Sequence, residues 1–559
     1  MIIGTVIDQL KNNNIDILYL YNHRITKNEV TEIAKALQSN NTLRKLNLGY
    51  CNIGTNGIIE MVNSLLLNNS LQRLNLECNG QGEEGAVVIA KLLRSNTSLQ
   101  KLNLRKNEIG VGAISIAKSL RSNNSLQILY LSSNNIGSDA ANEIANLLYQ
   151  NNSLRVLKLS NNNIGSGAIS IAKSLQSNNF LRKLKLRRNN IGYTGTGIVE
   201  IVKLLQLNDS LQILDLSFNS FINGMDADGG IAIGQLLKSN NSLQELNLAC
   251  TGISTEAAIE IAKSLQSNNS LQSLHLDINR IGPEAAVEIA ELLRSNDTLR
   301  VLNLGNNDAG LEGCIEIAKS LRLNNSLQQL NLYSNNMGTE GCVEIARSLQ
   351  LNNSLRKLDL YDNNMGTEGA IEFAKMLQLN SHLQELYLDD NNIDAEGADE
   401  IAKALLLNTS LQILDLGSNY IGADGAIEIA KALQSNNHLR ELQLDNNNIG
   451  TKGAVEISKA LRLNSRLQEL CLDNNNIGIE GAIKIVKSLQ LNSYLHILSL
   501  KINRIDAEGA ILIADILEHN YCLTNIYLGP TNDKINEITD RNKKLHNEKR
   551  FIKTKVADN

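Results

Sequence analysis

Charged side chains recur at fixed offsets along this chain and are sorted by sign. Arg105, Lys106, Lys158, Lys183, Lys185, Arg187 and Arg188 fall in its first part, together with Lys45, Arg73 and Lys101. Asp362, Glu385, Asp389, Asp390, Asp415, Glu441, Asp445, Glu469 and Asp473 occupy the corresponding places later on, opposed there only by Lys357 and Lys501. Tyr333, Tyr361 and Tyr387 stand beside the acids in consecutive repeats, where they are expected to form a short ladder. The chemistry open to such a set is recognition. Extended fields of one sign steer and orient a complementary partner, and tyrosines anchor it. Bond-making chemistry lacks its signatures: there is no HExxH, GxSxG or GxxxxGK[ST]. The seven histidines are scattered without ligand spacing, and Asp226 with Asp228 falls short of a calcium loop. No catalytic residue, cofactor or metal is expected. The net charge of −5 conceals the segregation entirely.

Positioning these residues is a repeat. Leu383, Leu386, Leu388, Asn391, Ile393, Ala398, Ile401, Ala402, Leu405 and Asn408 form one unit of a pattern with a period of 28 residues, and nineteen strand positions run from Ile15 to Leu523. Leu386 and Leu388 alternate with Glu385, Tyr387 and Asp389, the period of two of a half-buried strand. Ala398, Ile401, Ala402 and Leu405 then follow the spacing of an amphipathic helix. No unit can bury its leucines alone, so neighbours must stack, with the strands in one parallel sheet and the helices in a second layer. Strands pack about 4.8 Å apart and helices about 8 to 10 Å, so the stack must curve with helices outside, by roughly 20° per unit. The small residue at Ala398, repeated at Ala370, Ala426, Ala454 and Ala482, keeps helix and sheet close. The residue at the Asn391 position is Asn in fifteen of nineteen units, and a column of such amides satisfies the turn backbone where each strand ends. His23, Cys51, Thr251 and Thr531 are the exceptions, read as weaker joints or partial caps.

The pattern LxxLxLxxNxIGxEGAxxIAxxLxxN resembles the ribonuclease-inhibitor class of leucine-rich repeat, also found in NOD-like receptors and in the Ran GTPase-activating protein. It covers roughly residues 15 to 528. The resemblance implies an α/β leucine-rich repeat solenoid, a curved horseshoe or superhelix with the parallel sheet on its concave face and helices on its convex face. It also implies a protein-binding scaffold that receives another protein in the concave face, here without the nucleotide-binding domain of NOD-like receptors. Two alternatives stay open: a GTPase-activating protein similar to that for Ran, and nucleic-acid binding through the basic first half. Acidic residues nearby and few interleaved aromatics argue against the second. Self-association also stays open, since the early and late walls are complementary in sign.

Residues 1–14 read as a capping helix with Ile3, Val6, Ile7 and Leu10 on its apolar side, and residues 529–559 as a polar-faced capping tail carrying Ile535, Ile538, Leu545 and Ile552 among Lys543, Lys544, Lys549 and Arg550. The first ten residues lack a basic segment, and no apolar window of about 18 residues appears, which points to a cytoplasmic protein outside the membrane. Seven cysteines, an odd number spread over different units, argue against a disulfide framework; Cys314 and Cys342 replace Ala in the Ala398 slot. Sequons at Asn68, Asn96, Asn123, Asn151, Asn240, Asn268, Asn324 and Asn352 all end a helix, where Asn is expected for its tolerance of left-handed backbone. The period lengthens twice after Leu181, and the second insertion (219–229) carries Phe221, Ile222 and Met225, either a protruding contact or a local repacking.

Overall fold

The structure, a computed structural model, describes residues 3–194, 197–219, 225–530 and 532–557, with the side chains of 193–194 and 547–557 excepted. Phe221, Ile222 and Thr531 lie outside the described residues, as do the side chains of Lys549, Arg550 and Ile552. The chain divides into two compact units, Met1–Arg280 and Ile281–Asn559.

In the first unit, three-residue strands from Ile17–Tyr19 to Ser273–His275 lie parallel to one another in sequence order. The register pairs equivalent residues, so Lys45 faces Arg73, which faces Lys101. Lys183 still faces Ile213, which faces Glu245, across the two lengthened repeats. The second unit repeats the arrangement from Val301–Asn303 to Asn525–Tyr527. Most strands bury a central leucine and leave the flanking residues partly exposed, which is the expected alternation; Asp215 and Ser499 are buried flanks, and the last strand has a half-buried Ile526 at its centre. In the helix Ala395–Leu407, Asp394 accepts hydrogen bonds from the backbone N–H groups of Glu396 and Gly397, and Ala398, Ile401, Ala402, Ala404 and Leu405 are buried. The α/β layering read from the period is the architecture observed.

The small-residue slot also governs the spacing between helices. A Cβ on Gly425 would lie 2.9 Å from the Cβ of Ala398, and Gly453 and Gly481 meet Ala426 and Ala454 in the same way. The close approach is between successive helices, each contributing a glycine against its neighbour's alanine. Cys314 and Cys342 take this slot fully buried, and burial pushes the Cys314 thiol up to about 12.

Two columns of asparagine stitch the repeats. In the inner column, Asn391 is fully buried; its Nδ2 donates to Leu360 O (2.8 Å) and Asp389 O (3.0 Å), and its Oδ1 accepts from the N–H groups of Asn363 (3.1 Å) and Met365 (3.2 Å). Two of the exceptions keep a donor: Cys51 Sγ donates to Leu20 O at 2.9 Å and Thr251 Oγ1 to Leu248 O at 2.6 Å. The outer column is the set of asparagines that end the helices. Asn408 Nδ2 donates to Leu377 O (2.7 Å) and Asn380 O (3.1 Å), while Oδ1 accepts from Ser410 N and Leu411 N. Left-handed backbone is not the reason for these residues. Asn40, Asn96, Asn151 and Asn240 have φ of −73°, −78°, −90° and −91° and are extended. Their side chains are retained for four or five hydrogen bonds each, which together with burial keeps the sequon amides from a glycan.

The outer column ends against a helix in each unit. Asn40 Nδ2 donates to Leu10 O of the helix Ile3–Lys11 at 2.8 Å, and that helix buries Val6, Ile7 and Leu10. At the other end of the chain, Asn542 in the helix Asp533–Ala557 is fully buried and donates to Asn520 O (3.0 Å) and Leu523 O (2.9 Å), beside the buried Ile535 and Ile538.

One backbone position is strained whatever residue fills it. The residue just before the inner asparagine has positive φ in unit after unit, including Lys106 (57°), Arg188 (53°), Asp362 (53°), Asp390 (53°), Ile278 (57°) and Ile502 (56°). A β-branched side chain suits that region worst. Ile502 is 71% exposed and gives up little packing, so Ile502→Asn should stabilise the second unit by about 1 kcal/mol, read as a higher urea midpoint.

Candidate functional site

The strand residues that point away from the helices form a continuous face in each unit. In the first unit this face carries the basic residues, and the register decides which of them remain available. Arg105 Nη1 lies 3.0 Å from Glu77 Oε1. Lys185 Nζ lies 3.7 Å from Asp215 and 4.0 Å from Glu245. Lys106 donates to Tyr50 Oη at 3.2 Å, and Tyr50 packs 5.3 Å from the Tyr21 ring. Arg187 and Arg188 stack over Phe218, at 3.8 and 4.7 Å from the ring centre. Lys158 and Lys101 both lie over Tyr130, at 4.1 and 4.9 Å. Among the described residues no carboxylate lies within 4.0 Å of Lys158 or Lys183. Burial, then the neighbouring Lys185 ammonium, lowers the pKa of Lys183.

In the second unit the face is acidic. Lys357 pairs with Glu385 at 3.0 Å and lies over the Tyr387 ring at 4.5 Å. Lys501 lies over Tyr527. The remaining carboxylates find only neutral donors in the described structure. Asp359 accepts from Asn331 Nδ2 (2.8 Å), Asp362 from Ser334 Oγ (2.8 Å), Asp415 from Gly417 N (2.9 Å) and Asp473 from Lys501 N (2.7 Å). Glu441 accepts from Gln443 at 2.9 Å and Asp445 from Asn446 at 2.9 Å, while Asp390 is exposed. Desolvation raises the carboxyls of Asp359, Asp445 and Glu469 above their ordinary range, compounded by like charge from Asp473 at Asp445 and from Glu441 at Glu469. Burial and then the adjacent Asp415 push Asp389 up to about 7, and Asp415 itself reaches about 6.

The three tyrosines do not make a ladder. Tyr333 and Tyr361 occupy the same register position and pair with ring centres 6.4 Å apart. Gly305 makes room for the first of them, because a Cβ there would collide with the Tyr333 ring. Tyr387 stands two residues earlier in its unit, paired in register with Asp359 and Asp415, and its hydroxyl meets Lys357 and Glu385 instead. The apolar Met225 from the longer insertion is buried and bridges to Ile253, and Asp226 caps the helix Ala227–Ser239, so these two residues repack locally.

A carboxyl with a raised pKa in the folded state binds protons that the unfolded chain, titrating near 4, does not. Folding is therefore favoured as pH falls from about 7 towards about 4. The second unit should be more stable at about pH 5 than at about pH 8 by about 2 kcal/mol, after allowing for solvent screening of these half-buried groups. Urea midpoints at the two pH values test this; a midpoint that falls on acidification contradicts it. Asp389→Asn should raise the midpoint at the higher pH and flatten the dependence.

The family model described as "Leucine Rich repeat" matches residues 39–62, 67–90, 95–117, 122–145, 150–172, 177–195, 239–262, 267–290, 295–318, 323–346, 351–374, 379–402, 407–430, 435–458 and 491–514, more than half of the chain. The chain belongs to the leucine-rich repeat family. No curated protein matched it. Of solved structures, 210 chains are similar to this leucine-rich repeat protein. They include Leiomodin-1 actin-binding site 2, at 20% identity over 34% of this chain and 96% of that chain with a TM-score of 0.25. Another is TLR13 in its complex with ssRNA13, at 17% identity over 88% of this chain and 68% of that chain with a TM-score of 0.40. At these identities and scores neither likeness bears on ligand or partner. Among the described residues no helix is long and apolar enough to cross a membrane, and no cluster of His, Cys, Asp or Glu is arranged to hold a metal ion.

Proposed function

We propose that this leucine-rich repeat protein, of the ribonuclease-inhibitor type, is a recognition module that binds another protein across its sheet face. It acts by recognition rather than catalysis, in the cytoplasm, where its seven free cysteines stay reduced. The helices Ile3–Lys11 and Asp533–Ala557 serve as its caps, closing the outer asparagine column that would otherwise end on open backbone.

One observation carries the reading: the carboxylates around Asp389 are kept together, half-buried and short of cations, at a standing cost in folding energy. A basic segment of a partner relieves that cost on docking, and Tyr361 and Tyr387 supply apolar anchorage beside it. The test is affinity capture from a native lysate with the full chain and with a Tyr361→Ala, Tyr387→Ala, Asp389→Asn variant. Binding of the principal partner should fall by at least about tenfold, as for interface anchors generally. Unchanged capture of every partner overturns the assignment.

A further inference from the structure

We infer that the first unit holds a second, separate site: a trough across the strands Lys45–Asn47, Arg73–Asn75 and Lys101–Asn103 that binds an acidic peptide segment of a partner through its carboxylates. The inference rests on the reading that the sheet faces bind protein. Lys45, Arg73 and Lys101 stand in register on consecutive strands, so their backbones step by about 4.8 Å. Among the described residues none of the three has a carboxylate within 4.0 Å, whereas Arg105 and Lys185 are neutralised in place. Like charges so closely stacked repel one another across the sheet, and an anion lying over them removes that repulsion.

The floor is built to the same end. Asn47, Asn75 and Asn103 line the trough below the cations, between Tyr19 and Tyr130. Each turns its Oδ1 inward to accept a backbone N–H two residues on, from Gly49 (3.1 Å), Glu77 (3.0 Å) and Arg105 (3.1 Å). Those bonds fix the amide orientation, because a flipped amide would set an NH₂ against an N–H. The Nδ2 groups of Asn75 and Asn103 donate to Asn47 Oδ1 and Glu77 Oε2, at 2.8 and 3.1 Å. Asn47 Nδ2 has no partner among the described residues, and with the three cations it leaves the trough a surface of donors.

Carboxylates of a peptide suit this trough better than a nucleic-acid strand. The Tyr130 ring is already covered by the Lys101 and Lys158 ammonium groups, which leaves Tyr19 as the one ring of the pair open to a base. A phosphate backbone tracking along the face would also meet Glu77 at the edge of the trough, and Asp215 and Glu245 beyond it. In an extended peptide, alternate side chains repeat at about 7 Å, so two such steps span the roughly 10 Å from Lys45 to Lys101 within the reach of flexible lysines.

The experiment measures fluorescence anisotropy of labelled oligoglutamate with the full chain at about 50 mM salt, where screening is weak. Lys45→Gln, Arg73→Gln and Lys101→Gln together should weaken binding by at least about tenfold. Asn47→Asp keeps the size and both bonds to Oδ1 but turns the free donor into an oxyanion, and should weaken it by about threefold or more. Lys403→Gln with Lys431→Gln, in helices of the second unit, should leave it unchanged. If the triple variant fails to fold, Asn47→Asp alone decides. The proposal is overturned if oligoglutamate does not bind, if neither trough variant weakens it, or if oligouridylate binds more tightly. Loss of oligoglutamate binding while capture still depends on Tyr361, Tyr387 and Asp389 removes the trough only. Trough-dependent binding with unaltered capture removes the acidic face and keeps the trough.

Discussion

Replacing Asn391 by Ala should destabilise the second unit by about 4 kcal/mol, because a buried donor or acceptor stripped of its partner costs about 1 to 3 kcal/mol. Four hydrogen bonds are lost at once, two from Nδ2 and two to Oδ1, in a site with no exposure. The orphaned groups belong mostly to the preceding repeat, so the damage spreads towards the N-terminal side of the substitution. Asn391→Thr should cost about half as much, since the hydroxyl of Thr251 shows that a donor at this position still reaches a carbonyl. Urea denaturation followed by circular dichroism reads both. Equal losses for Ala and Thr would show that the donor half contributes nothing.

Phe373→Ala should cost about 4 kcal/mol, in the range for emptying a buried aromatic site. Phe373 heads the largest fully buried side chains and lies in the helix Gly366–Leu379. Neighbouring repeats place Ile345 and Ile401 at the equivalent position, equally buried. Phe373→Ile should therefore cost only about 1 to 2 kcal/mol, the repeat being able to close around an aliphatic residue there. A Phe373→Ile variant as unstable as Phe373→Ala would mean that the surrounding helices have adapted irreversibly to the ring.

The sequence carries the layering because leucine spacing and helical spacing differ in period, and Leu386 or Ile401 has only one place to be buried. It carries the sorting of charge for the same reason: Glu385 and Asp389 alternate with buried leucines. Two things were harder to see. Asn68 and Asn408 stand in a column as regular as that of Asn391, yet a local explanation, backbone handedness, hid a long-range one; partners 28 and 31 residues away are invisible until the repeats are stacked. Which cations are spent also depends on the stacking. Arg105 meets Glu77 only because they lie one repeat apart, and the same operation leaves Lys45, Arg73 and Lys101 without acids. Tyr387 shows the converse, since its place two residues ahead of Tyr361 was plain in the sequence and settles that it cannot continue the stack.

Each inner asparagine completes the repeat before it, as Asn419 Oδ1 accepts from Asn391 N and Asn391 Oδ1 from Asn363 N. Such a chain of dependence makes repeat number a quantity that changes in whole steps. Loss or gain of one in-phase unit hands every amide an equivalent new neighbour, while a junction that shifts the strand register leaves a buried amide facing the wrong backbone; lengths of 27 or 30 residues are tolerated where the register is kept. Lineages carrying this protein can therefore lengthen or shorten its binding face by unequal recombination between repeats, with the asparagine columns acting as a proofreader of the junction.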